Sequence, residues 1–389
     1  MNAATATATV TAAARGRCAY LLIPGAMLLL AGCVDDQVRD SARASPEWLR
    51  AQHGLVSEDF AGSQPPTPMC HASTIAEDAD DLVVAWFGGA YEGQHEVAIW
   101  SSRQSHDGSW SDPVAIETGT VSTGERYACW NPVLFKPVHG PLLLFYKVGN
   151  SPRSWWGMMA SSSDGGRTWG QAQRLPAGIL GPIKDKPIQL EDGTLLCPSS
   201  TEEAGLRVFN QGWRMFIERT RDLGQTWQSV GPLNDPREVD CIQPTLCRHA
   251  DGRLQLLARS RSGRIMQAWS GDGGLTWGAV TPTALPNPNS GIDAVSLRDG
   301  RQLLVYNHCT AGRDQLEVAV SEDGTHWLSA LVLEDQPGEY SYPAVIQSSD
   351  GLVHITYSWR RRRIRHVVVD PARLVLHEIP EGRWNQAGW

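Results

Sequence analysis

Ser162 to Gly170 reads SSDGGRTWG, a turn of small polar residues sealed by one tryptophan, and the chain writes it more than once. Thr220 to Trp227 is TRDLGQTW and Ser270 to Trp277 is SGDGGLTW, with shortened forms at Ser321 to Trp327 (SEDGTHW) and His106 to Trp110 (HDGSW). The tryptophans fall at 110, 169, 227, 277 and 327, spaced by 59, 58, 50 and 50 residues. A period of that length marks a repeated supersecondary unit. The Asp and the Ser or Thr of each turn can hydrogen-bond its backbone, the Gly supplies a positive φ, and the Trp packs between units. The turn is therefore read as structural.

Working outward, each unit holds a first strand (HASTIAE, CWNPVLF, DKPIQLE, IQPTLCR, IDAVSLR, SYPAVIQ) and a second (DLVVAWFGG, PLLLFYKVG, GTLLCPSS, GRLQLLARS, RQLLVYNH, LVHITYSW). A third strand, the Asp-Gly turn and a fourth strand complete it. Six such units predict a six-bladed β-propeller of four-stranded antiparallel blades, all-β, over residues 61–389, with the innermost strands around a central channel. The sixth unit lacks the turn and needs a strand from the other end of the chain.

The first 32 residues are different material: Arg15 and Arg17, the apolar run CAYLLIPGAMLLL, then LAGC ending at Cys33. This pattern predicts an export signal over 1–32, with Cys33 as a lipidated N-terminus and residues 33–60 as a polar tether. The protein is accordingly expected in a bacterial cell envelope, held to a membrane by its lipid. Loss of Arg15 and Arg17 would take the net charge from −8 to −10, and nothing resembles a nucleic-acid footprint. Cysteines 70, 129, 197, 241, 247 and 309 are even in number, which allows disulfides of unassigned pairing; no metal spacing occurs and no cofactor is implied.

If the Asp-Gly turns join third to fourth strands at the bottom, first strands start and second strands end at the top. The chemistry belongs there. Two places before the first-strand reference residue stand His71, Trp130 and Asp185; one place before it stand Asn131, Lys186, Gln243, Asp293 and Tyr342. Lys184 and Tyr340 lie a step further out, and Glu92, Glu202, Arg259, Arg261, His308 and Arg360 follow or end the second strands.

The Asp-box repeat, the six units and several of these top residues resemble the sialidase superfamily over essentially the whole mature chain. In that family three arginines bind the substrate carboxylate, a tyrosine activated by a glutamate attacks the anomeric carbon, and an aspartate is acid/base. Arg259 in LLARSRSGR is similar in position to the second arginine, Arg313, eight residues before Ser321, to the third, and Tyr340 in EYSYPAV to the nucleophile. His71 in MCHAST stands where the first arginine is expected. Asp240 lies one place out of register from the activating glutamate, and Glu92 in YEGQHEV replaces the aspartate. AWFGG, CWNPVLF and GPIKDKP look like a bacterial and plant branch called sialidase-like.

Two guanidinium forks on neighbouring blades suit one carboxylate, so Arg259 and Arg313 are read as anion-binding. Lys184, Lys186, Asn131, Gln243, Asp293 and Arg360 are read as further substrate contacts, and Trp130, Trp155 and Trp156 as a sugar-stacking wall or as core. A phenol of pKa about 10 needs a base near neutrality, which assigns Asp240 to Tyr340, while His71 suits acid/base work. The expectation is an exo-acting glycoside hydrolase releasing a terminal acidic sugar, retaining through Tyr340. A polysaccharide lyase using His71 and Tyr340 on a uronate, or a non-catalytic glycan-binding lipoprotein, are the alternatives.

Overall fold

The structure, a computed structural model, describes residues 47–79, 81–203 and 212–379. The export segment, Cys33 and most of the expected tether lie outside them. The described residues form six antiparallel sheets, whose strands follow one another in chain order from first to fourth in blades one to five. The first strands are Met69–Asp78, Cys129–Phe135, Ile188–Gln189, Cys241–Arg248, Asp293–Ser296 and Tyr340–Gln347. The second strands (Asp81–Gly89, Leu142–Val148, Leu195–Glu202, Leu254–Ser260, Gln302–Tyr306, Val353–Trp359) are nearly continuous apolar runs because each is covered on both faces by neighbouring blades. Blade five gains a two-residue edge strand, His377–Glu378.

Blade six is closed from the other end of the chain: Leu55–Phe60 pairs antiparallel with Arg363–Val369. The propeller thus begins before residue 61, and the tether expected over 33–60 is shorter than its sequence suggests. LVSEDF is an outer edge strand, only partly buried, so it carries no apolar alternation to announce it. Asp59 accepts from the Trp110 indole of blade one (2.8 Å) and lies 2.9 Å from His366 Nδ1 of blade six, so the closing strand also joins first blade to last.

The repeated turn is built as its residues dictate. In blade two Gly166 N–H donates to Ser162 Oγ (2.8 Å), and Thr168 N–H (2.9 Å) and hydroxyl (2.5 Å) donate to the Asp164 carboxylate. In blades three and four the same threonine bonds hold Asp222 and Asp272 down to about 2. The turn glycine also touches the preceding blade: a Cβ on Gly274 (φ +78°) would stand 3.0 Å from Leu196. All these turns lie at the bottom, opposite the entry of the first strands. The six cysteines of the propeller are unpaired, five of them buried, so no disulfide forms.

Candidate functional site

At the top of blades one, two, four and six, the first strand opens with the same irregularity. Pairing slips between His71 and Thr74, Trp130 and Val133, Ile242 and Pro244, and Ser341 and Ala344. Inside each bulge one non-glycine residue is left-handed: Ala72 (φ 54°), Asn131 (38°), Gln243 (52°) and Tyr342 (55°). A bulge re-aims a side chain, and strain of this kind concentrates at functional sites. In blade six the residue re-aimed is Tyr342.

Tyr342 reaches across the wheel. Its hydroxyl accepts from Arg259 Nη1 (2.9 Å) and Gln243 Nε2 (3.4 Å) of blade four, its ring lies 4.4 Å from the His71 ring of blade one, and the Arg313 guanidinium of blade five lies 5.9 Å from its centroid. A blade-six residue that meets blades one, four and five stands over the axis. Arg259 is 7% exposed, with Nε donating to Asn289 Oδ1 (3.0 Å) and Nη1 to Gln243 Oε1 (2.9 Å). The Asn289 carbonyl accepts from Arg313 Nη2 (3.1 Å), so one loop residue positions both arginines.

Acidic groups ring this centre. Glu339 Oε1 accepts from Arg313 Nη1 (3.2 Å) and Arg361 Nε (3.0 Å), and Glu92 Oε2 accepts from Arg361 Nη1 (2.8 Å). Glu202, at the end of blade three's second strand, has its carboxyl raised by burial, offset in part by Arg259 and by a bond from the Trp213 side chain. The Trp213 ring lies 5.6 Å from the Arg259 guanidinium. His71 is buried, and its pKa falls well below the usual value because of that burial and the charges of Arg361, Arg313 and Arg259. Its Nε2 faces Arg361 Nη2 at 2.9 Å.

The structure therefore brings together His71, Gln243, Arg259, Arg313 and Glu92, and leaves out others. Tyr340, two residues from Tyr342, packs into the core of blades five and six, its hydroxyl 3.3 Å from Arg360 nitrogens. Asp240 accepts from Trp213 N–H (3.3 Å) of blade three, whereas Tyr340 packs between blades five and six. Arg360 turns outward over Trp359 and donates to the Pro337 carbonyl. Lys184, with a 2% exposed side chain, donates to the Ile292 (2.6 Å) and Pro343 (2.5 Å) carbonyls and to Asp185 (2.6 Å). Asp293 accepts from Lys186 (3.0 Å), Thr245 (2.8 Å) and Val345 N–H (2.8 Å), tying four blades together. These three groups plug the axis and are spent on protein partners, not substrate. Asn131 is buried at its bulge, and Trp130 and Trp155 are core residues between blades one and two.

Tyr342 and Glu202 are placed at the top by the strand alignment but given no role, and Asn289, Glu339 and Arg361 are not singled out by the sequence at all. The signals available were Tyr342's position beside Asn131 and Gln243 in the first-strand alignment and Glu202's at the end of a second strand. No group of three or more His, Cys, Asp or Glu side chains among the described residues is placed to hold a metal ion.

Fold and site together define a sialidase-like Asp-box propeller with an arginine-lined mouth. The family model described as BNR repeat-like domain matches residues 80–355, and the chain belongs to that family within the sialidase-like superfamily. No curated protein matches the chain. Among solved structures it is similar to a protein of unknown function from Dyadobacter fermentans DSM 18053 (TM-score 0.69, 16% identity, covering 82% of this chain and 99% of that one). It is also similar to the Hadza microbial sialidase Hz136 (0.65, 19%, 79% and 67%) and to the intramolecular trans-sialidase from Ruminococcus gnavus in complex with oseltamivir carboxylate (0.64, 14%, 81% and 97%). At such identities the likeness is one of fold.

Proposed function

We propose that the chain is an exo-acting glycoside hydrolase for a terminal acidic sugar, with Tyr342 as the nucleophile in place of Tyr340. The observation that carries this reading is the Tyr342 hydroxyl over the axis, 2.9 Å from Arg259 Nη1 and 3.4 Å from Gln243 Nε2. Two donors converging on one phenolic oxygen hold it in place over the axis. A phenol also approaches an anomeric centre bearing a carboxylate without the like-charge repulsion a carboxylate nucleophile would meet, and sialidases are known tyrosine exceptions among glycosidases. The similar structures named as sialidases support the substrate class.

In this reading Tyr342 Oη, its proton passed to water, bonds to the anomeric carbon as the glycosidic bond breaks, and the protonated Glu202 gives its proton to the departing oxygen. Burial keeps Glu202 protonated more readily than an exposed glutamate, as an acid catalyst requires. Water then attacks the anomeric carbon, Glu202 takes its proton, and Tyr342 leaves as the phenolate and is reprotonated from solvent. Elimination through His71 as base is the weaker reading, because that ring is buried and its Nε2 is engaged by Arg361.

The test is an incubation of the protein with a panel of acidic glycans, with product masses recorded. Release of one sugar with the mass of water added is expected, and Tyr342→Phe should lose roughly 100-fold or more in kcat. An unsaturated, ultraviolet-absorbing product would replace hydrolysis with elimination. Binding without turnover across the panel would leave a glycan-binding protein. We also propose anchorage through a lipidated Cys33, which predicts that Cys33→Ser abolishes lipid labelling in a bacterial host.

A further inference from the structure

Tyr342 stands against two local preferences at once. Its φ of 55° is left-handed, which a residue with a Cβ seldom adopts, and Pro343 after it restricts the preceding residue to extended backbone. Strain of this kind persists only where the surroundings over-determine it. The bonds that reach the strand just after Tyr342 come from the axis.

Lys184 belongs to the start of blade three, which faces blade six across a wheel of six, and its Nζ donates to the Pro343 carbonyl at 2.5 Å. Proline has no N–H, so this carbonyl is the one polar backbone group that Pro343 offers. The ammonium also donates to the Ile292 carbonyl of blade five (2.6 Å) and to Asp185 Oδ1 (2.6 Å). Three donors on three partners fix it completely, and bonds from an ionised donor are the strong kind. Two residues beyond Pro343, Asp293 Oδ2 accepts from Val345 N–H (2.8 Å), so the axis grips the strand within the slip between Ser341 and Ala344 and again past it. Gly291 shows how close the lysine runs to the phenol ring: a Cβ there would stand 3.1 Å from Lys184 Cε and 3.6 Å from Tyr342 Cδ2. A buried ion pair adds little stability over well-packed apolar residues. Lys184 and Asp185, with side chains 2% and 0% exposed, therefore call for another reason to be there.

We propose that Lys184 is the positioning residue of Tyr342: by holding the Pro343 carbonyl from across the axis it keeps the bulge left-handed and the phenolic oxygen at Arg259 and Gln243. Asp185 aims the ammonium. The placement rests on the geometry alone, and its consequence for turnover rests on the reading of Tyr342 as the nucleophile. In GPIKDKP the first lysine thus serves the reaction through the opposite blade and without touching substrate.

The test joins crystallography to kinetics on the full chain. Lys184→Met keeps an unbranched stem and removes the donors; burial raises the Asp185 carboxyl well above its usual range, so a neutral acid remains in place of a bare charge. Should that variant not fold, Lys184→Met/Asp185→Leu replaces the whole pair with apolar groups. In crystals of either variant Tyr342 should leave positive φ, with its hydroxyl beyond hydrogen-bond reach of Arg259. On the glycan found by product mass, kcat should fall roughly 10- to 100-fold while KM stays within a few-fold, the split expected when a reacting group is misplaced and the substrate contacts are not. Gly274→Ala, which strains a seam at the bottom of the wheel, should lower the urea midpoint and leave kcat unchanged, so lost stability by itself does not imitate the effect. A folded Lys184 variant with Tyr342 still left-handed and bonded to Arg259 overturns the proposal. A displaced Tyr342 with undiminished kcat leaves the placement by Lys184 standing and counts against Tyr342 as the nucleophile, as does a displaced Tyr342 beside a wild type that turns over no glycan.

Discussion

Tyr340 and Tyr342 alternate on paper onto one face of a strand, yet they face different worlds. Regular pleating would send both the same way, but the bulge between Ser341 and Ala344 and the left-handed φ at Tyr342 break the alternation between them. Tyr340 packs against Trp359 with ring centroids 6.5 Å apart, and its phenol is pushed up by burial. The two phenols should therefore respond differently to the same deletion of one oxygen. Tyr340→Phe is expected to keep turnover within a few-fold of wild type, with a stability change on the order of 1 kcal/mol from the lost Arg360 contact. Steady-state kinetics on the glycan found by product mass checks this, and a loss as large as that of Tyr342→Phe would return the nucleophile's role to Tyr340.

Within the blades, the Asp-Gly turns and the seams make separate predictions. Gly274 and Gly193 share a positive φ (+78° and +84°), but a Cβ at Gly274 meets Leu196 of the preceding blade while one at Gly193 meets nothing within 4 Å. Alanine at Gly193 should cost about 1 kcal/mol for backbone strain alone, and at Gly274 about 1–3 kcal/mol more for overpacking the seam. Urea denaturation of the two variants decides this, and equal losses would mean the seam gives way freely. Between blades five and six, Glu334 accepts from the Tyr357 hydroxyl (2.7 Å), and burial raises its carboxyl to about 7. A carboxyl raised in the folded state binds its proton more tightly than in the unfolded chain. Its stabilising contribution is thus whole below about 4.5 and lost as pH rises through 7. Glu334→Gln should flatten the stability–pH curve in that window, by on the order of 2–3 kcal/mol at most. An unaltered curve would show that Glu334 does not titrate there.

For the whole wheel, closure depends on six residues contributed from upstream. Leu55–Phe60 covers the edge of Arg363–Val369, Phe60 lies under the Arg363 guanidinium (3.9 Å), and Gln52 exchanges two bonds of 2.8 Å with the Val332 backbone. A chain beginning at Gly62 would leave that edge unpaired and separate blade one from blade six. An open edge flanked by buried valines is a template for association. The truncated protein is expected to unfold at lower urea and to elute as soluble aggregates in size-exclusion chromatography; a monomer of wild-type midpoint would show that the other five seams hold the ring unaided.

The number of blades, the identity of their strands and the face that carries chemistry were legible in the sequence, because each rests on local chemistry. An Asp, a Gly and a Trp at fixed offsets close one kind of turn wherever they occur, and a strand buried on both faces must be apolar throughout. Arg259, His71 and Gln243 could be found the same way, since equivalent positions in a repeat share one place in the ring, whereas Arg313 was legible only through the family resemblance. The fold alone decided the rest: that Tyr342 rather than Tyr340 stands over the axis, that Lys184, Lys186 and Asp293 lock the channel, and that Arg361 meets His71 from 290 residues away. Left-handed φ at a tyrosine or an arginine runs against local preference and is imposed by the neighbouring blades. Which polar groups satisfy one another and which stay open to a ligand is settled when the last blade closes on the first.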